Sequence, residues 1–330
     1  MKYKYNGFIP QNISPKDAKS LVYYNGNGEK VCTIGLGKLT PPTETKLYSF
    51  GVISDTHIMA NGATTAPYSS LKLDNALNWF EEQGVLFVCN SGDMTNHGFW
   101  NSDGTKDLTQ FAEYKRVCDL HSIPVYAICG NHDSYFSPIT ETLEDLQTYT
   151  GNELYYSVNQ GNDIYIFLSQ PSSTIPMSDE AFEFLKTTLE ANIEKRFFIF
   201  AHPYLDSGNA HSAYGNDFFG SWSKTAEFKT VLSNYNTLLF HGHSHINFIH
   251  QETDNVANYA NNGFHSIHVP SLMGYRQIAD DEPIVESLGY IVDVYDDYIV
   301  LNGRSFGTYL DGSMIKPNYV PIGIYKINTN

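Results

Sequence analysis

An α/β fold is predicted from three observations along the chain. Apolar, β-rich runs recur from Leu47 onward, helix-period stretches separate several of them, and most runs end in a block of Asp, Asn, His and Gly. The strand-like runs are Leu47 to Ser54, Val85 to Asn90, Ile123 to Cys129, Ile164 to Ser169, Arg196 to Ala201 and Thr237 to His241. Between them, Leu73, Leu77 and Phe80 recur at i, i+4 and i+7, and Phe111, Tyr114, Cys118 and His121 share a helical face. Phe182, Leu185 and Leu189 form a third such face, with Ser178 as its N-cap and Pro176 just before it. Strands alternating with helices imply βαβ units and parallel pairing.

The two ends of the chain read differently. In residues 1–46, Asn25-Gly26-Asn27-Gly28 is a hairpin signal between Leu21-Val22-Tyr23-Tyr24 and Val31-Cys32-Thr33-Ile34, and Leu39-Thr40-Pro41-Pro42-Thr43 reads as a linker. This stretch is too short for a large core of its own and is expected to be a small β appendage for docking or oligomerisation. Residues 47–330 form the main domain. Near its end, Phe264 to Val269, Tyr290 to Tyr295 and Tyr298 to Leu301 read as antiparallel strands with a turn at Asp296-Asp297. No helix-period stretch separates them, which places residues of about 264–330 in a second sheet.

Composition narrows the partners. Hydrophobic residues make up 42 % of 330, with 24 Tyr, 20 Phe and 3 Trp, as expected of a packed globular protein. Acidic residues outnumber basic ones by 36 to 20, a net charge of −16. Such a field disfavours nucleic acid and anionic membrane, whose binding rests on Lys and Arg neutralising phosphates. Cys32, Cys89, Cys118 and Cys129 show no paired spacing and read as reduced core residues. No apolar signal core opens the chain and no run reaches the ~18 apolar residues of a membrane span. A cytoplasmic protein is the default expectation, and a phage-associated one released by lysis would look the same.

Five blocks carry the chemistry. Asp55-Thr-His57, Gly92-Asp93, Gly130-Asn131-His132-Asp133, His202 and Gly242-His243-Ser244-His245 occur in that order, each just after a strand-like run. In an open α/β sheet, groups at the carboxyl ends of strands converge on one crevice. Carboxylates, imidazoles and one amide oxygen suit Mn, Fe, Zn or Co rather than thiolate-loving copper(I). Gly92 lets the chain turn sharply at a strand end, which makes Asp93 the best carboxylate to bridge two ions. His132 lies beside these groups with no ligand slot of its own, so it is free to protonate a leaving group. Asp133 is read either as the carboxylate that sets a histidine tautomer or as a turn or helix-cap residue. Among the other histidines, His97 and His211, with Tyr214, lie on loops that follow strand ends and are candidates for substrate contact, while His241 is read as supporting the ligands from behind or as structural rather than as a ligand.

The order and residue types of these blocks resemble the calcineurin-like metallophosphoesterase family, with its DxH, GD, GNH[DE], lone His and GHxH. The resemblance spans residues 47 to about 250 and implies a four-layer α/β/β/α sandwich of two mixed sheets. It implies two divalent or trivalent transition-metal ions: Asp55, His57 and His245 on one, Asn131, His202 and His243 on the other, and Asp93 shared. It further implies hydrolysis of a phosphate ester by a metal-activated hydroxide, with His132 as general acid. Gly92-Asp93-Met94-Thr95-Asn96-His97-Gly98 lacks the Asp-Arg pair of the GDxxDRG found in protein phosphatases of this superfamily, which points away from phosphoproteins. The core looks similar to bacterial cyclic-nucleotide-type phosphodiesterases, so a small or medium phosphodiester is the expected substrate. The alternatives are a phosphomonoesterase such as a nucleotidase, or a catalytic or structural component of a larger assembly such as a phage particle.

Overall fold

The computed structural model describes residues 20–24, 30–35, 45–59, 68–203, 222–243, 245, 264–273, 275–276, 283–284, 286–310, 313–315 and 321–329. The chain divides into two compact units, Met1–Thr45 and Lys46–Asn330. In the first unit, β1 (Ser20–Tyr24) pairs antiparallel with β2 (Lys30–Gly35), on either side of the Asn-Gly repeat.

The second unit begins with β3 (Tyr48–Ile53), α1 (Ser69–Glu82), β4 (Val88–Asn90), α2 (Thr109–Cys118) and β5 (Val125–Ala127). A 3-10 turn (Ile139–Thr142), α3 (Leu143–Thr150), β6 (Tyr155–Gln160), β7 (Asp163–Leu168), α4 (Asp179–Glu190) and β8 (Arg196–Ala201) follow. Then come α5 (Thr225–Ser233), β9 (Asn236–His241), β10 (His265–His268), β11 (Tyr275–Arg276) and β12 (Pro283–Ile284). The last elements are β13 (Glu286–Val294), β14 (Tyr298–Leu310), β15 (Ser313–Ile315) and β16 (Pro321–Asn328). One mixed sheet has the order β15-β14-β13-β3-β4-β5, with β16 also on β14, and the other runs β10-β9-β8-β7-β6.

Side-chain alternation makes four layers of these two sheets. In β3, Phe50 and Val52 point into the core between the sheets, whereas Ile53 joins the core under α1 and α2. In β8, Phe198 and Phe200 face the other sheet, and Phe197, Ile199 and Ala201 lie against α4 and α5. Aromatic rings fill the space between sheets: Tyr165 stacks on Phe198 at 4.7 Å and meets Phe50 edge-on at 5.1 Å. The α/β/β/α sandwich of two mixed sheets is therefore present. α4 carries the expected cap, with Ser178 Oγ accepting from the Ala181 N–H at 3.1 Å. Among the described residues no helix is long and apolar enough to cross a membrane.

The tail departs from its expected arrangement. β10 is not antiparallel to its neighbour but runs parallel to β9, and the later strands do not join it. Instead β13 pairs antiparallel with β3, from Tyr290 opposite Val52 to Val294 opposite Tyr48, and so extends the first sheet. The reason lies in free edges: β3 has β4 on one side only, and the antiparallel β13–β14 ladder takes the other. α2 ends at Cys118, so His121, expected on its helical face, lies beyond the helix instead. There its buried ring sits between Asp74 (Nε2 to Oδ1, 3.0 Å) and Glu81 (Nδ1 to Oε2, 3.2 Å). Cys89 and Cys129 are buried free thiols, as core residues should be.

Candidate metal centre

Both sheets deliver their strand ends to one place. Asp55 and His57 follow β3, Asp93 follows β4, Asn131 follows β5, His202 follows β8, and His243 and His245 follow β9. The loops are laced together: the Asp55 N–H donates to the Gly92 carbonyl (2.9 Å), His57 N–H to Asp93 O (3.0 Å) and Gly242 N–H to His202 O (3.2 Å). The His243 N–H donates to the Asp55 carboxylate at 3.1 Å.

The backbone is bent to present these groups. Among the described residues, the non-glycine positions with positive φ are Asp55 (52°), His57 (43°), Asp93 (50°), His243 (72°) and His245 (54°). Every one is a ligand expected from the sequence. A left-handed non-glycine residue costs on the order of 1–3 kcal/mol and persists where its surroundings over-determine it. Gly92, at φ 107°, has a further constraint, since a Cβ there would lie 2.6 Å from His202 Nδ1. At Gly130 a Cβ would lie 2.2 Å from Asp93 Oδ1. The glycines of both motifs thus make room for ligand side chains.

Two donor groups result, joined by one carboxylate. Single ligand atoms of Asp55, His57, Asp93 and His245 all lie within 4.8 Å of one another, and so do those of Asp93, His202 and His243. In the first group, His245 Nε2 is 3.0 Å from His57 Nε2 and 3.1 Å from Asp55 Oδ1, and His57 Nε2 is 3.6 Å from Asp93 Oδ2. In the second, His202 Nε2 is 3.2 Å from Asp93 Oδ2 and 3.1 Å from Asn131 Oδ1. His243 Nδ1 is 2.8 Å from the same Asn131 oxygen. Asp93 Oδ2 faces both groups, while Asp93 Oδ1 accepts from the His132 N–H at 2.8 Å.

The donor set fits cations. His202 Nδ1–H donates to the Ser91 carbonyl at 2.9 Å, so in the neutral ring Nε2 carries a lone pair. That lone pair is aimed at a carboxylate and an amide oxygen, both acceptors. A shared positive charge reconciles the three; without one the ring must hold a proton. Burial lowers the His202 imidazole, but Asp93 outweighs it and raises the ring to about 9. Burial opposes ionisation of Asp55 and Asp93, yet the surrounding imidazoles, His245 foremost for Asp55 and His202 for Asp93, hold both well below the usual carboxylate range. Burial also drives His57 down to about 3 and His243 to about 4, leaving neutral nitrogens of the kind metals require.

His132 stands outside both groups. Its ring meets that of His57 edge-on at 4.6 Å, and its Nδ1–H donates to the Asn96 carbonyl at 2.9 Å. Asp133 does not orient a histidine. Its buried carboxylate accepts from Gly130 N (2.8 Å), Met94 N (3.1 Å), Thr95 N (2.8 Å) and Thr95 Oγ1 (2.8 Å), clasping the Asp93 and Asn131 loops together. Those four donors fill its acceptor sites, so its contacts are to these two loops rather than to a histidine ring. Burial, with Asp93 adding to it, raises Asp133 to about 6. His97 lies on the same loop as Asn96, and Gln110 Oε1 accepts from both of their amides (2.9 and 3.0 Å). His211 and Tyr214 lie outside the described residues. The Ser91 and Asn96 carbonyls were not legible in the sequence, because any residue type supplies that group.

Residues 48–247 match the family model for calcineurin-like phosphoesterase, well over half of the chain. The protein belongs to that family. Its structure is similar to that of a dimetal phosphatase from Danio rerio, at 15 % identity and a TM-score of 0.58 over 87 % of this chain and 100 % of that one. It is also similar to purple acid phosphatase PPD1 from yellow lupin seeds, at 14 % identity and a TM-score of 0.56, covering 94 % of this chain and 59 % of that one. A third likeness, to PhoD, has 10 % identity and a TM-score of 0.53 over 88 % of this chain and 73 % of that one. At such identities the likeness is one of fold. No curated protein matches the chain by sequence.

Proposed function

We propose that this protein hydrolyses phosphodiesters at a two-metal centre, with His132 as general acid. The observation that carries the reading is Asp93 Oδ2, one carboxylate oxygen placed against both donor groups. Asp55, His57 and His245 would hold one ion, Asn131, His202 and His243 the other, with Asp93 shared. The N and O donors suit Mn, Fe or Zn. When bound, such a pair supplies Lewis acidity toward phosphoryl oxygens and lowers the pKa of water toward neutrality.

The chain's own residues do the rest. The buried Asp133 clasp fixes the Asp93 loop against the Asn131 loop, so the ligands keep their spacing. With Nδ1–H held by the Asn96 carbonyl, Nε2 is the nitrogen of His132 left to serve a substrate oxygen. A proton from Nε2 then goes to the departing oxygen as the ester bond breaks. The preference for diesters rests on charge: a monoanionic diester meets less repulsion from a chain of net charge −16 than a dianionic monoester does.

The test compares bis-p-nitrophenyl phosphate with p-nitrophenyl phosphate, before and after chelation. We expect a higher kcat/KM for the diester, loss of activity with chelator, and recovery on adding back Mn, Fe or Zn. A higher kcat/KM for the monoester would make the protein a phosphomonoesterase instead.

A further inference from the structure

Beside the acid His132 the chain carries two consecutive, exposed aromatic residues. Tyr135 is 50 % exposed and Phe136 38 %, yet neither ring is loosely held. The two meet edge-on, at 4.8 Å and 90°. Tyr135 lies nearly parallel to the His132 ring at 5.4 Å and 28°, and Phe136 leans on His97 at 5.6 Å and 35°. Their backbone continues the turn that carries Asn131, with the Tyr135 N–H donating to the His132 carbonyl at 3.3 Å. Past the rings opens a groove of about 750 Å³ between this turn and the start of α4, lined in part by Pro138, Pro171, Ile175 and Trp222.

Single exposed aromatics need no explanation, but a fixed pair rimming an apolar groove next to a reacting centre does. Rings already held in place lose little conformational freedom when a flat ligand settles on them. Tyr135 touches the His132 ring, so a group carried on an oxygen protonated by His132 would lie beside this pair.

We propose that Tyr135 and Phe136 form the leaving-group platform of this enzyme, stacking a planar aromatic group, nucleobase or aryl, carried by the alcohol released from phosphorus. The inference rests on the phosphodiesterase reading and on His132 as its acid. The ester bond that breaks lies next to His132, its oxygen takes the His132 proton, and water supplies the oxygen that phosphorus gains. An uncharged ring is the suitable cargo, since the chain's net charge of −16 works against a leaving group with further phosphates.

The experiment measures kcat/KM of the full-length, metal-loaded protein on three diesters. They are a dinucleoside monophosphate, bis-p-nitrophenyl phosphate, and glycerophosphocholine, whose alcohols carry no ring. Wild type is compared with Tyr135→Ala, Phe136→Ala and Tyr135→Phe. In both alanine variants the ratio of aromatic to aliphatic kcat/KM should fall by about ten- to hundredfold, the size of a base–aromatic stack. The loss should appear in KM, and Tyr135→Phe should restore the ratio. The diester whose ratio falls further distinguishes a nucleoside source from an aryl one. An unchanged ratio in both alanine variants, or an equal kcat loss on all three diesters, would overturn the platform while leaving hydrolysis in place. A wild type inert toward all three would overturn the hydrolytic reading itself.

Discussion

His132 and Asn131 are adjacent in sequence and do different things. Asn131 turns its amide oxygen toward His202 and His243, while the His132 ring turns away toward His57 and Tyr135. His132→Ala should therefore keep its metals and lose ~10²–10⁴ in turnover on esters of poor leaving groups, the usual contribution of a positioned acid. The loss should shrink for nitrophenyl esters, which depart without help. If His132→Ala also empties a metal position by elemental analysis, the ring is a ligand and the acid assignment is wrong. At this scale the sequence was most informative where side chains carry the chemistry. As candidate ligands that converge, Asp55, His57, Asp93, Asn131, His202, His243 and His245 were legible from residue type and order. Asp133 was not legible as a clasp, because three of its four donors come from residues 38 or 39 positions away. The Ser91 and Asn96 carbonyls, which fix two ring tautomers, leave no trace in residue type.

Strand ends are where these elements store their acid sensitivity. His57 after β3, and His241 and His243 at the end of β9, are buried and driven down by burial to about 3, about 3 and about 4. The unfolded chain binds protons at each near its ordinary value of about 6.5, whereas the folded chain refuses them until far lower pH. Stability from these three groups is thus full above about 6.5 and is lost as pH falls toward 4 and below. In chelator, the urea midpoint should be clearly lower at about pH 4.5 than at about pH 7.5. A midpoint that is flat or rises on acidification would mean that these rings are charged in the fold. The elements themselves were well read where a run alternates between two cores. β3, β7, β8 and β9 lie within about a residue of their expected bounds, since Phe, Ile and Leu there divide cleanly between the intersheet core and the helix cores. α1, α2 and α4 were equally legible from their apolar spacing, and α4 from its Ser178 cap. The pairing of β10 and β13 was not, because partner and direction depend on which sheet edge is free, and a strand's own residues do not encode that.

At the scale of the molecule, two sheets pack through an aromatic interface and bring the candidate ligands of five strand ends to one rim. Among the described residues the left-handed non-glycine positions all fall on that rim, so the stability of the sandwich holds the geometry of the site. The central claim is that Asp93 joins two cation positions. The most direct measurement is the number of transition-metal ions per chain, by elemental analysis of metal-replete protein, in wild type, Asn131→Ala and Asp93→Ala. The account predicts about two in wild type, about one when Asn131 is removed, and fewer than one without the Asp93 bridge. A wild type that holds no more than one ion would contradict it.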